Sequence, residues 1–241
     1  MFIYLSIYCV LAFAALSNYS RRNTLFFVIT GVFLVWFMGF RYETGCDYYG
    51  YLNRWLNFKL PDSFIRLMQG DEAGFSFLIW AMKASGLSYT WLNVAASALM
   101  VACYAGFARE HRFATLIWAL IFPVIIVQLG MSGIRQGLAC AFLTLAFNAF
   151  ARREKLRTAA WILLAMQFHA SVVIFLPMAL LAGKEVNTLR LAGSLFILGP
   201  VSGFLLADRF DTYESRYIEG TVISGGAILR YILVCLPLPF F

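Results

Sequence analysis

Residues 25–51 read LFFVITGVFLVWFMGFRYETGCDYYGY. The first part of this stretch, 25–40, carries no charge and stops at Arg41, and a run of about 20 such residues crosses the hydrocarbon core of a bilayer as a helix. Comparable runs recur along the chain, at 2–16, 90–108, 113–129, 134–150, 159–182, 189–206 and 227–241. Only 13% of the 241 residues are charged and 62% are hydrophobic, with a mean hydropathy of +0.78. A soluble domain carries about a quarter charged residues. The alternating segments of about ten residues that mark an outer-membrane barrel are missing. The reading is therefore all-α: a polytopic transmembrane helical bundle of about seven to nine membrane segments, some of them re-entrant. One integral membrane domain covers residues 1–241.

Charge gives the topology. The net +7 and pI near 9.3 reside largely in short clusters, Arg21-Arg22, residues 109–112 and residues 152–157. Cytoplasmic loops facing anionic lipid have this composition, so no nucleic-acid partner is implied. A secretory signal has its positive charge before its apolar region. Here the arginines follow it, and residues 2–16 are expected to be a retained first helix with its N-terminus outside. With Arg21-Arg22 inside, loop 41–72 emerges outside, with four Lys/Arg against five Asp/Glu. The alternation then holds through the basic loop at 152–157. It breaks afterwards, because two simple crossings would leave the acidic loop 207–226 inside. Parity returns if residues 159–182 dip in and come back, with His169 near the apex. The segment 73–84 is too short to span and reads as interfacial or re-entrant, and Pro123 is expected to kink the helix over 113–129.

The polar residues at the outer helix ends carry the chemistry. Arg41 ends a membrane-length run, with Asp47 a few residues on and Tyr42, Tyr48, Tyr49 and Tyr51 around it. Snorkelling of the arginine and an interfacial aromatic belt would account for these. Yet a Gly45 turn folding the loop over the helix end, with an acid among aromatic faces, also suits a glycan. Arg135, followed by Gln136, stands in the first turn of the helix after 130–133. There a guanidinium and free backbone N–H groups can hold an anion such as phosphate; snorkelling or an ion pair to an outer-loop acid is the alternative. His169 lies inside an apolar run, where an ionisable group commonly faces a cavity, although packing would also explain it. Glu72 precedes segment 73–84 either as a helix N-terminal acid or as a base or sugar ligand.

Five cysteines, Cys9, Cys46, Cys103, Cys140 and Cys235, follow neither a disulfide nor a metal spacing. Cys46, in a polar segment, reads as a free thiol. The two histidines lie on opposite sides, so no metal site and no cofactor are expected. No phosphate-binding Gly-Lys-Ser/Thr loop, zinc-protease motif or serine-nucleophile motif is present.

Four short motifs occur in order: Phe40-Arg41-Tyr42 with Gly45 and Asp47-Tyr48; Glu72-Ala73-Gly74-Phe75; Ile134-Arg135-Gln136-Gly137-Leu138-Ala139; and Phe168-His169-Ala170-Ser171. In these the chain resembles the EpsG family of bacterial exopolysaccharide proteins, related to Wzy-type polysaccharide polymerases, over roughly residues 25–220. The resemblance implies a GT-C-like, multi-pass protein of the bacterial inner membrane. It also implies polymerisation of undecaprenyl-diphosphate-linked repeat units on the outer face, by a glycosyltransferase that needs no metal. Its partners would be that lipid-linked glycan, membrane lipid and other polysaccharide-assembly membrane proteins. The catalytic set would be Arg135, Asp47, His169 and Glu72, with Arg41, Tyr42, Tyr48, Tyr51 and Gln136 binding substrate. The chain stops within or just after a membrane run, earlier than the resemblance leads one to expect. A flippase would favour inverted repeats, which the sequence lacks; a non-catalytic export component is the other alternative. A membrane acyltransferase would need an acidic partner for His169, and none lies near it in sequence.

Overall fold

In an apolar surrounding the backbone can satisfy its polar groups only internally, and the apolar runs fold as helices. A computed structural model describes residues 2–17, 24–60 and 72–182, with positions 193, 196 and 200. They belong to the first of two compact units, Met1–Pro200 and Val201–Phe241. The expectations for 183–190, for most of 189–206 and for 207–241 lie outside the described residues. In order come α1 (Phe2–Leu16), α2 (Thr24–Gly39), α3 (Tyr48–Asn57), α4 (Ala73–Ala84), α5 (Tyr89–Ala108), α6 (Ala114–Ile121), α7 (Ile134–Ala151), α8 (Lys155–Met166) and α9 (Leu176–Leu181). No strand occurs among the described residues.

Helices α5 and α7 are long and apolar enough to cross a membrane. α1 and α2 are apolar all round. They bury Leu11, Ala15, Leu34 and Met38 while exposing Phe2, Phe13, Leu25, Val32 and Trp36, as suits helices that meet lipid on their outer face. The core forms where α2 packs on α5, α5 on α7, α7 on α8 and α1 on α6. Trp118, Tyr104, Leu34, Met38 and Phe122 are fully buried there. Close approach of α2 and α5 depends on Gly39, where a Cβ would come within 2.8 Å of the Val94 Cα.

Two departures from straight helices shape the site. After Ile121 the chain turns π-helical, Phe122–Gly130. This is the local response to Pro123, which lacks the N–H that an α-helical ladder needs. α8 ends at Met166, His169 is extended at φ −156° and ψ 119°, and a 3-10 turn, Ala170–Phe175, leads into α9. Both later pieces pack back on α8. Residues 155–181 thus form a helical hairpin that turns at 167–169.

Loop 41–72 holds more structure than its polarity suggested. Tyr48, Tyr51 and Trp55 recur at i, i+3 and i+7 and are all buried. That is one face of an amphipathic helix, α3.

The helix ends sort into two groups. At one end α5 and α7 meet through Asn148 Nδ2, which donates to the Phe107 carbonyl at 3.3 Å, and through the Arg152–Glu110 ion pair at 2.5 Å. Arg109, Arg112, Arg152, Arg153, Lys155 and Arg157 belong to this end. The opposite end gathers the C-termini of α2, the π-helical segment and α8 with the N-termini of α4, α5 and α7, through the contacts described next.

Candidate functional site

Glu72 stands at the centre of the second end. It occupies the left-handed region, φ 57° and ψ 55°. For a non-glycine residue this conformation costs of order 1 kcal/mol and persists only where the surroundings fix it. They do so from several segments. The Gly74 N–H donates to the Gln167 carbonyl at 2.9 Å, pressing the start of α4 against the α8 turn. A Cβ on Gly74 would lie 2.9 Å from that of Gln167. Phe168 holds the turn from behind by stacking on Phe142, centroids 5.2 Å apart.

The Glu72 side chain is 2% exposed, and among the described residues its carboxylate meets side chains from α3, from α7 and from the turn at 167–169. Oε2 accepts from Arg135 Nη1 of α7 and, at 3.3 Å, from Arg54 Nη1 of α3. Oε1 lies 3.3 Å from His169 Nδ1. Burial alone would raise the Glu72 pKa. The hydrogen bonds from His169 and Arg135, and the charges of Arg135 and Arg54, outweigh it and bring it down to about 2. The carboxylate is therefore ionised and accepts only. Beside this acceptor His169 Nδ1 carries a proton, so that whenever the ring is neutral Nε2 presents its lone pair.

Both guanidiniums are also held by aromatic rings. Arg135 Cζ lies 5.6 Å from the Tyr51 ring centroid and Arg54 Cζ 5.3 Å from that of Phe75. The two rings meet edge to face at 5.6 Å. The Tyr51 hydroxyl accepts from the Arg135 backbone N–H at 3.4 Å, and Arg54 Nη2 donates to the Ser76 hydroxyl at 3.4 Å. Among the described residues, Arg135 and Arg54 both face the Glu72 carboxylate. Arg135 and Arg54 remain 34% and 31% exposed, so their outer edges are open to an anionic ligand. Arg135 Nε finds no acceptor among the described residues.

Arg41 is placed differently. It is 7% exposed and donates to the Gly130 carbonyl at 2.7 Å, the Met38 carbonyl at 3.3 Å and Asn93 Oδ1 at 3.3 Å. It thus ties the end of α2 to the end of the π-helical segment and to α5. No ion pair joins it to Asp47, which is exposed where α3 begins. The Gly45 turn does fold inward. At φ 102°, Gly45 lies so close to the Met131 carbonyl that a Cβ would collide with it. The neighbouring Cys46 N–H donates to the Ser132 hydroxyl at 3.2 Å.

The structure thus brings Glu72, Arg135, His169 and Tyr51 together. It buries Tyr48 beside them against Tyr89 at 5.6 Å, while Tyr42, Asp47 and Gln136 stay on the surface. Arg54 belongs to the cluster and was not anticipated from sequence. Arg135 forms an ion pair with an acid of loop 41–72, Glu72. The backbone N–H of Arg135 is already used by Tyr51. His169 has an acidic neighbour after all, 97 residues away in sequence.

The EpsG family model matches residues 24–241. The chain belongs to the EpsG family. It is accordingly a membrane protein of polysaccharide biosynthesis. No curated protein and no solved structure matches it.

Proposed function

We propose that this EpsG-family protein polymerises lipid-diphosphate-linked oligosaccharide repeat units, undecaprenyl diphosphate being the expected carrier, on the outer face of the bacterial inner membrane. The observation that carries the reading is the Glu72 cluster, in which two partly open guanidiniums and an oriented imidazole share one buried carboxylate. In this reading residues 1–241 act as one multi-pass, GT-C-like membrane domain. Loop 41–72 and the second polar loop, 207–226, face outward, and the α8–α9 hairpin dips from the basic side with His169 at its apex. Membrane lipid and other assembly proteins are its partners.

The transfer breaks the bond between the anomeric carbon of one glycan and its phosphate oxygen, and joins that carbon to a hydroxyl of another lipid-linked unit. The leaving diphosphate gains negative charge as the bond breaks. Arg135 and Arg54 are suited to hold it, because a guanidinium forks onto phosphate oxygens and stays charged when partly buried. The acceptor hydroxyl must lose a proton. His169 Nε2 is the candidate base, with Glu72 orienting the ring through Nδ1 and stabilising the imidazolium that forms. Glu72 itself is a poor base while both its oxygens are engaged. Asp47 lies apart from this cluster, and its share in the chemistry is that of a surface acid near the glycan. Arg41 acts by holding helix ends in register, and Gln136 lines the open edge beside Arg135.

Purified protein in lipid, mixed with lipid-diphosphate oligosaccharide, is expected to give a ladder of lengthening products. Transbilayer movement of the same substrate in vesicles with no ladder would replace polymerase with flippase, and neither result would leave an export component.

A further inference from the structure

Arg54 reaches the Glu72 carboxylate from α3, so the site depends on whatever holds that helix. Ten residues are too few for a helix to stand alone in water, and α3 owes its place to side-chain anchors. Tyr48 and Trp55 meet the Tyr89 ring at 5.6 Å and 6.2 Å, and Tyr51 meets Phe75. A further anchor is Lys83, in the last turn of α4. Its Nζ donates at 2.8 Å to the carbonyl of Phe58, the residue that caps α3, and stands 5.3 Å from the Trp55 ring centroid. A lysine near the end of a short apolar helix ordinarily snorkels to headgroups. This one is half-buried and turned onto a helix end, where unsatisfied carbonyls and the negative pole of the helix attract a cation.

We infer that Lys83 is a positioning residue for the anion site: by fastening the end of α3 to α4 it sets Arg54 against the Glu72 carboxylate, beside Arg135. Ser76 and Lys83, seven residues apart, share one stripe of α4 and lie about 10 Å from each other along its axis. Their partners at the end of α3, Arg54 and Phe58, are four apart and share a face in the same way. Arg54 Nη2 donates to the Ser76 hydroxyl at 3.4 Å, while Lys83, whose side chain leans back toward the N-terminus of α4, reaches Phe58. The two helices are thus pinned twice along one seam. The bond from Arg54 to Glu72, at 3.3 Å, is longer than a good charge-assisted hydrogen bond. A phosphate taken up by Arg54 would also compete with Glu72 for the guanidinium. The Lys83 pin does not depend on that competition, and it holds α3 whether the site is empty or filled.

This role rests on the reading of Arg54 and Arg135 as a diphosphate site, so the probe is inorganic pyrophosphate and not turnover. Full-length protein in nanodiscs of neutral lipid is titrated calorimetrically without divalent metal, and the wild type is expected to bind. Lys83→Met keeps the length of the side chain but not its charge, and should bind roughly tenfold more weakly, as the loss of one charge-assisted hydrogen bond would give. Lys83→Arg can still donate to Phe58 and lie over Trp55, and should stay within about threefold of wild type. The deciding comparison is made in Arg54→Gln, which retains Arg135 and should bind more weakly. There Lys83→Met should cost nothing further, because the residue it positions is gone. Equal loss in both backgrounds means that Lys83 merely stabilises the fold, and overturns the role. Unchanged affinity in Lys83→Met overturns it too, as does failure of the wild type to bind pyrophosphate. Should Lys83→Met not fold, Lys83→Gln is carried through the same cycle with the same outcomes. The expected pattern without a product ladder from the wild type keeps Lys83 in its role and removes the polymerase. A wild-type ladder beside unchanged pyrophosphate binding by Lys83→Met does the reverse.

Discussion

Arg41 and Arg135 are both arginines at helix ends, on the same side of the bundle, and the protein uses them in opposite ways. Arg41 turns inward onto carbonyls of two helix ends and an asparagine, with almost no exposed surface. Arg135 pairs with a carboxylate, stacks on a ring and keeps a third of its side chain open. A guanidinium whose two terminal nitrogens rest on neutral oxygens fixes structure, even though its Nε, like that of Arg135, has no acceptor among the described residues. One that, among the described residues, shares a carboxylate with a second guanidinium and keeps a third of its side chain exposed can take another anion. The comparison predicts that chemistry fails at the Glu72 cluster and stability fails at Arg41.

The largest effect is expected at His169, which Glu72 orients. His169→Gln removes the base but keeps the volume, and the rate of ladder formation should fall by about 10²- to 10⁴-fold with the melting temperature little changed. A near-normal rate would move the base elsewhere. Arg135→Lys comes next. Lysine retains the charge toward Glu72 but not the fork, and product formation per folded molecule should drop about 10²-fold. Wild-type product length in that variant would make Arg135 structural, as Arg41 is.

How far could this have been read from sequence? Apolar runs locate helices well, since continuous hydrophobicity bounded by charge admits little else in a membrane. The run at 73–84 became α4 with the same limits, and Pro123 marked the departure from α-helix, although not its π form. α3 is hard to read from sequence because its mean polarity hides the Tyr48, Tyr51, Trp55 spacing. With that helix in view, Arg54, three residues after Tyr51, would have stood beside it on one face. The pairing of Glu72 with His169 had no local signal, because α4, α5, α6, α7 and α8 must all be in place before the two meet. Arg41 and Asp47, neighbours in sequence, part because unsatisfied helix-end carbonyls draw the guanidinium inward.

Arg41→Met tests the structural half. It strands the Gly130 carbonyl and Asn93, and should destabilise the protein by about 3 kcal/mol. The loss would appear as a lower melting temperature, with product falling in proportion to folded protein. A variant that melts normally yet makes no polymer would instead put Arg41 on the substrate.

The smallest expected effect concerns acid. Glu72 titrates at an ordinary 4.5 when unfolded and at about 2 in the folded protein. Its carboxylate is thus depressed by folding, and its contribution is fully present above pH 4.5. As pH falls below that value the unfolded chain binds the proton first, stability declines, and the contribution is gone once the folded group also titrates, near pH 2. The shift corresponds to on the order of 2 kcal/mol once screening of the partly exposed arginines is allowed for. Glu72→Gln should therefore flatten the fall in melting temperature between about pH 5 and about pH 3, whereas Arg41→Met, which disturbs no carboxylate pair, should keep the wild-type slope. If Glu72→Gln and wild type lose stability in parallel, the guanidiniums do not rest on Glu72 in the unliganded protein, and the contrast between the two arginines loses its basis.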